Sequence, residues 1–145
     1  MRNLLFRLIG MLEVAGGFYG AVAALRRLPP SGSTHATMLA LIDLAVFAFV
    51  LTAGVLLLGN DARGVAFSRW AQLSQVPLIA TPVFSYAFSS GAFVNVVSTL
   101  HLPPHLALDW HFGTQGFALA TSGPGTSHIG INGLALLSWL ALRWR

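Results

Sequence analysis

Two carboxyl groups lie inside long apolar segments of this 145-residue chain, Glu13 and Asp43. An ionised side chain within a membrane span costs at least about 2.5 kcal/mol on insertion scales, so it usually faces other helices or water. Such carboxyls either line a path for a proton or small solute, or are held by neighbouring helices, and burial can keep them protonated. The sequence leaves these interpretations open.

Further polar side chains recur at similar depths in the apolar segments. At about 1.5 Å per residue, one layer lies roughly 6–9 Å from the outer boundary and consists of Tyr19, Asp43, Asn95 and Asn132. A second layer, roughly 15–21 Å deep, consists of Glu13, Thr52, Ser85 or Tyr86, and Ser138. The layers suit a polar track from the outer surface inward. For the amides and hydroxyls we favour hydrogen bonds between helices, each worth about 1 kcal/mol.

Histidines offer a possible metal site. If Pro103 opens a helix, His105 and Asp109 share one face, as an imidazole oriented by a carboxylate requires. His101, His111 and His128 are within reach of the same surface. The spacing matches no zinc signature, so the favoured interpretation is solvated histidines that titrate near pH 6.5, with metal binding as the alternative. No cofactor is expected.

Other chemistry is excluded or unsupported. The chain has no cysteine, which removes disulfides, thiolate nucleophiles and zinc–thiolate sites. It contains no metalloprotease helix motif, no serine-hydrolase elbow and no Walker loop, so we favour a protein without a catalytic centre of its own over an enzyme. Its eight arginines do not cluster, and we therefore expect no nucleic-acid partner.

Small residues predict close helix packing. Gly16 and Gly20 form a Gly-x-x-x-Gly pair, which lets another helix backbone approach the first apolar segment. Gly130 and Gly133 are interpreted in the same way for the last segment.

The elements that carry these residues are predicted from composition. Hydrophobic residues make up 55% of the chain and charged residues 8%, with a mean hydropathy of +0.72, whereas about a quarter of a soluble domain is charged. The prediction is one all-α integral membrane domain with four transmembrane helices, over 4–25, 37–58, 78–99 and 129–142. The periodic apolar residues of 63–75 predict an interfacial helix before the third span, and 100–127 is predicted to be a long outer loop.

Charge placement predicts orientation. With four spans, one side carries six of the eight arginines, so by the positive-inside rule both termini are cytoplasmic, in a bacterial inner membrane. The small size and missing motifs favour a non-catalytic subunit or assembly factor, whose partners are the lipid bilayer and either other membrane subunits or further copies of the chain. The alternative is a small transporter or proton-coupled protein that uses Asp43 and Glu13, with the histidines at its outer mouth.

Overall fold

The computed structural model describes residues 2–28, 34–99, 106–112, 115–120 and 127–144. Within them the chain forms four helices and one six-stranded sheet. The helices are α1 Arg2–Arg26, α2 Thr34–Leu58, α3 Ala62–Gln75 and α4 Gly133–Arg143. The strands are β1 Pro77–Ala80, β2 Ser85–Ser89, β3 Ala92–Thr99, β4 Leu106–Phe112, β5 Gln115–Ala120 and β6 His128–Asn132.

The predicted all-α fold with four transmembrane helices is wrong. The third predicted span, 78–99, forms three strands, and the fourth, 129–142, divides into β6 and the short helix α4. The predicted outer loop 100–127 contains β4 and β5. Two helices in the described residues are long and apolar enough to cross a membrane, Leu4–Arg26 and Thr34–Leu58, a test of length and composition only.

The third predicted span fails because hydropathy does not distinguish an apolar strand from an apolar helix. The segment is rich in Val, Phe, Thr and Tyr, which favour strands. Pro82 supplies no backbone donor, and Gly91 adopts a φ of +87°, which ends the strand that precedes it. Both residues divide a segment of helical length into shorter extended pieces.

Helices α1 and α2 form a closely packed hairpin. A Cβ added to Gly17 would lie 2.6 Å from the Leu51 backbone nitrogen, and one added to Gly54 would lie 2.8 Å from the Gly10 carbonyl oxygen. Only glycine permits such backbone approach. At these close contacts there is no room for a side chain between the two helices.

Helix α3 begins at an Asp61 cap, whose carboxylate accepts a hydrogen bond of 2.8 Å from the Arg63 backbone N–H. From there α3 runs back along α2. Gly64 lies against Leu57, and the Phe67 ring lies 5.8 Å from the Phe49 ring. The helix predicted over 63–75 is therefore present, and it packs lengthwise on α2.

The sheet is antiparallel throughout, in the order β4-β3-β6-β1-β2-β5. Strands β2 and β3 follow one another in the chain and form one arm of a long hairpin, which bends at Ser90 and Gly91. Strands β4 and β5 form the other arm: β3 pairs with β4, and β2 pairs with β5. Strands β1 and β6 fill the space between β2 and β3.

Connectivity requires this sheet to curl. Phe112 ends β4 and Gln115 begins β5, so their Cα atoms are at most about 11 Å apart along the chain. In a flat sheet the two edge strands would be about 24 Å apart. The two edge strands therefore approach each other at the end of β4 and the start of β5. The bend at Gly91 is next to this point, because Ser89 pairs with Gln115 and Ala92 pairs with Phe112.

Helix α4 returns the chain to the end of the hairpin where it began. Leu142 is buried in a cluster with Ile9 and Leu57, residues of the first turns of α1 and the last turn of α2. The second cluster, formed by Phe47, Val50, Ala53, Ala71 and Phe88, joins α2, α3 and β2.

Candidate functional site

The polarity of α3 is reversed relative to that of a helix in a soluble protein. Its polar residues Ser68, Gln72 and Gln75 are buried, Ser68 with an exposed fraction of 0%. Its large apolar residues Phe67, Trp70 and Leu73 are exposed, Trp70 to 67%. A helix at the surface of a soluble protein presents the opposite faces to core and solvent. The hydrogen-bonding side chains of α3 therefore point into the protein, and a candidate site is to be sought around them.

Glu13 lies at the centre of this polar interior and is almost fully buried. Its Oε2 accepts a hydrogen bond of 2.6 Å from the Ser68 hydroxyl, and its Oε1 accepts one of 2.8 Å from Gln72 Nε2. Both carboxyl oxygens thus have a partner on α3. This is the arrangement expected of a group that fastens α1 to α3.

A second contact extends the polar interior to the sheet. Gln75 donates through Nε2 to the Ala71 carbonyl oxygen, and its Oε1 accepts a 2.8 Å hydrogen bond from the Ser90 backbone N–H. The bend after Ser90 rests on α1, because a Cβ at Gly91 would lie 2.6 Å from the Leu12 carbonyl oxygen. Gly16 faces the same bend. One surface of α1 thus receives both α3 and the β2–β3 bend.

Asp43 occupies a separate place near the other end of the hairpin. It lines a cavity of about 140 Å³ between α1 and α2, together with Tyr19, Arg27 and Phe47. Its exposed fraction is 5%, its Oδ2 lies 3.4 Å from an Arg27 guanidinium nitrogen, and its buried Oδ1 has no hydrogen-bond partner. This cavity can accept a water molecule or a small donor beside the free carboxyl oxygen.

The two asparagines lie in the sheet, opposite one another on β3 and β6. Asn132 caps α4, because its Oδ1 accepts a hydrogen bond of 3.2 Å from the Ala135 backbone N–H. The buried Oδ1 of Asn95 and Nδ2 of Asn132 have no partner. The capping role of Asn132 was detectable, because an asparagine directly before a short apolar helix is a common N-cap.

The predicted polar layers therefore divide into separate groups. Tyr19 and Asp43 share one cavity, Asn95 and Asn132 pair in the sheet, and Glu13 binds α3. Along α2 the buried apolar residues Phe47 and Val50 lie between Asp43 and Gly54, and Gly54 faces Glu13. No polar track joins the two carboxyls among the described residues.

The remaining members of the second predicted layer also lie apart from Glu13. Thr52 is exposed and donates to the Ala48 carbonyl oxygen at 2.8 Å on its own helix, and Ser138 is on α4. Ser85 is on β2, and the Tyr86 hydroxyl donates to the Ser74 carbonyl oxygen at 2.6 Å.

The predicted histidine site falls partly outside the described residues, which exclude His101 and His105. The prediction that a helix opened by Pro103 carries Asp109 is wrong, because 106–112 is strand β4. In β4, Asp109 lies opposite Asn95 and His111 opposite Phe93, while His128 lies on β6 opposite Thr99. The described part of the chain contains no group of three potential metal ligands.

The predicted packing glycines make contacts within the chain. Gly16 faces Ser90 and Gly91, and Gly20 faces the Phe47 ring. A Cβ at Gly130 would lie 2.9 Å from the Val96 carbonyl oxygen, whereas one at Gly133 would have its nearest neighbour at 3.5 Å. Gly16 and Gly20 are thus occupied by this molecule's own sheet bend and α2.

No known protein family matches this chain. No curated protein and no solved structure matches it either. The interpretation of the site therefore rests on its own geometry.

Sequence reasoning did not identify the α3 residues that hold Glu13. Ser68, Gln72 and Gln75 recur at spacings of four and three, which places them on one helical face opposite Phe67, Trp70 and Leu73. This polar face was detectable from the sequence, but its pairing with Glu13, a contact between residues far apart in the chain, was not.

Proposed function

We propose that this chain is a membrane-embedded, non-catalytic subunit or assembly factor that packs the α1–α2 hairpin against other membrane proteins or copies of itself. The observation that carries the proposal is the exposure of large apolar side chains over the surface, together with the burial of the polar face of α3. Glu13, Ser68, Gln72 and Gln75 are buried in the interior, while large apolar side chains are exposed on all four helices and on the sheet. Such an apolar surface is suited to contact with lipid or with an apolar partner protein.

The outer face of α1 and α2 is the surface on which we place the partner. On α1, the exposed Leu4, Leu8, Met11, Phe18 and Leu25 follow helical spacing. On α2, the matching exposed residues are Met38, Leu41, Ile42, Val55 and Leu58. Each row extends about 30 Å at 1.5 Å per residue, the thickness of a bilayer core.

The sheet edge adds support for a partner. Strand β4 ends the strand order and has β3 as its one strand neighbour in the described residues. Within lipid, backbone N–H and C=O groups must find partners, and an open sheet edge does not occur exposed to hydrocarbon. If the sheet lies at membrane depth, another chain covers this edge.

Orientation follows from the same proposal. Leu142 of α4 packs beside Ile9 of α1, so the two ends of the described chain lie at one end of the hairpin. Arg2, Arg7, Arg63 and Arg143 lie at that end, and Arg26 and Arg27 lie at the other. By the positive-inside rule the end with more arginines is cytoplasmic. We propose a bacterial inner membrane as the location.

The test is purification in mild detergent. We expect the full chain to elute within a larger complex, and Leu8→Ala combined with Phe18→Ala on the outer face to release the monomer. Leu137→Ala on α4 is the control, because Leu137 is a leucine on another helix that is more exposed than Leu8. A monomer in the unmodified protein, or equal release by the control, contradicts the proposal.

A second candidate function is a small transporter or proton-coupled protein, which the cavity beside Asp43 favours. The free Oδ1 could bind a proton or a small donor there. The apolar residues between Asp43 and Glu13 count against a continuous path. If this function holds, reconstituted vesicles show a pH-dependent flux that Asp43→Asn abolishes; unchanged flux removes it.

A further inference from the structure

A groove between α3 and α4 combines aromatic and cationic side chains. It has a volume of about 400 Å³ and is lined by Ala66, Arg69, Trp70, Leu73 and Trp139. Two indoles and an arginine thus share one recess. This composition differs from the rest of the helical surface, where the exposed side chains are mainly aliphatic.

A second guanidinium stands beside the groove. The Arg143 guanidinium carbon lies 5.1 Å from the centroid of the Trp139 ring, a cation–π contact. Neither α3 nor α4 contains an acidic residue. The ion pairs of the described residues involve Arg27 and Arg63, so no carboxylate neutralises Arg69 or Arg143 there.

The geometry points to an anionic phospholipid as the occupant of this groove. Guanidinium groups bind phosphate through paired, charge-assisted hydrogen bonds, and indoles favour the headgroup region of a bilayer. The phosphate binds Arg69 and Arg143, and an acyl chain lies along Trp70 and Leu73. This inference rests on the membrane location proposed above.

Charge complementarity distinguishes among lipids. A phosphatidylglycerol headgroup carries a net negative charge that two unpaired guanidiniums attract. A phosphatidylcholine headgroup carries the same phosphate with a cationic group attached, which the second guanidinium repels. Because two arginines border the groove, it binds the anionic phosphatidylglycerol more tightly than the zwitterionic phosphatidylcholine.

The binding test uses the full-length protein in a non-ionic detergent. Phosphatidylglycerol, phosphatidylcholine and sn-glycerol 3-phosphate are titrated separately, and bound lipid is counted by native mass spectrometry. We expect one phosphatidylglycerol to bind at least about tenfold more tightly than phosphatidylcholine, since each basic residue favours an anionic lipid severalfold. We expect glycerol phosphate not to displace it at equal concentration. Equal binding of the two lipids, or displacement by glycerol phosphate as a free anion, overturns the inference.

Substitutions locate the site. We expect Arg69→Gln to weaken phosphatidylglycerol binding about fivefold and Arg69→Gln with Arg143→Gln to remove the preference. Arg26→Gln, an exposed arginine at the other end of the hairpin, is the matched control and leaves binding unchanged. If the double variant retains the preference, the groove is not the site. Complex formation measured on the same preparations reports separately on the proposed subunit function.

Discussion

At the scale of single residues, Glu13 connects two helices that differ in composition. It is the acidic residue of an apolar helix, and both of its hydrogen-bond donors, Ser68 and Gln72, come from α3. A buried donor that loses its acceptor costs about 1–3 kcal/mol. The stability of the α1–α3 contact therefore depends on this carboxyl.

Replacing Glu13 measures that dependence. We expect Glu13→Leu to lower the free energy of unfolding by about 2 kcal/mol, because the buried Gln72 amide loses its acceptor and the Ser68 hydroxyl keeps only its longer contact of 3.4 Å with the Ala53 carbonyl oxygen. Thermal unfolding in detergent reports the change. Thr52→Ala is the control, because the Thr52 hydroxyl bonds within its own helix and is exposed. Equal effects of the two substitutions would show that Glu13 does not fasten the helices.

Gly91 is the second residue on which the arrangement depends. We expect Gly91→Ala to destabilise the protein by more than about 1 kcal/mol, because its φ of +87° disfavours a side chain and the new Cβ would meet the Leu12 carbonyl oxygen. Gly133→Ala provides the comparison, since its nearest neighbour lies at 3.5 Å. Unfolding midpoints that shift equally for both variants contradict the bend as described.

At the scale of elements, α3 depends on its Asp61 cap. Hydrogen bonds from Arg63 to the Asp61 carboxylate hold the pKa of Asp61 below its ordinary value. The bond from the Arg63 backbone N–H has the largest effect, and hydrogen bonding from the Arg63 side chain has the next largest. The folded protein thus favours the ionised form, and this contribution to stability is present above a pH of about 4. It is lost as the pH falls through the folded-state pKa.

Two substitutions separate the charge of the cap from its hydrogen bond. We expect Asp61→Ala to lower the unfolding midpoint at pH 7 and to remove the part of the acid-dependent loss that Asp61 contributes. Asp61→Asn keeps the cap and has no titrating group, so it retains more stability than alanine and also loses that pH dependence. Unfolding curves between pH 3 and pH 7 test both. An Asp61→Ala variant as stable as the asparagine variant at pH 7 contradicts the cap.

The sequence allowed the helical hairpin and α3 to be predicted but not the sheet. Apolar length identified α1 and α2, and the repeat of Phe67, Trp70 and Leu73 identified α3. The strands were not predicted because the span 78–99 was judged by its apolar length, which does not distinguish an apolar strand such as β3 from part of an apolar helix. The partners of Glu13 were missed because the pairing of α1 with α3 depends on how the hairpin folds back, a long-range contact that local pattern does not encode.

At the scale of the whole molecule, α4 connects the sheet to the first turns of α1. The sheet and the hairpin are joined at three places: the Gly91 bend on α1, the Phe88 ring of β2 against the Phe47 ring of α2, and α4, which follows β6 directly and places Leu142 beside Ile9 and Leu57. A sheet held at these places keeps a fixed position relative to the hairpin. Helices α1 and α2 also contact the edge strand β5, so the hairpin supports the curled sheet at that edge as well.

The absence of cysteine allows this arrangement to be tested by cross-linking. We expect Ile9→Cys with Leu142→Cys to form a disulfide on mild oxidation, because both side chains lie in one buried cluster. Met11→Cys with Leu142→Cys is the matched pair, since Met11 is two residues away on the exposed side of α1 and does not face α4. Gel mobility under non-reducing conditions distinguishes the two. If the Met11 pair cross-links as fast as the Ile9 pair, α4 does not return to the first turns of α1, and the two ends of the described chain need not share one side of a membrane.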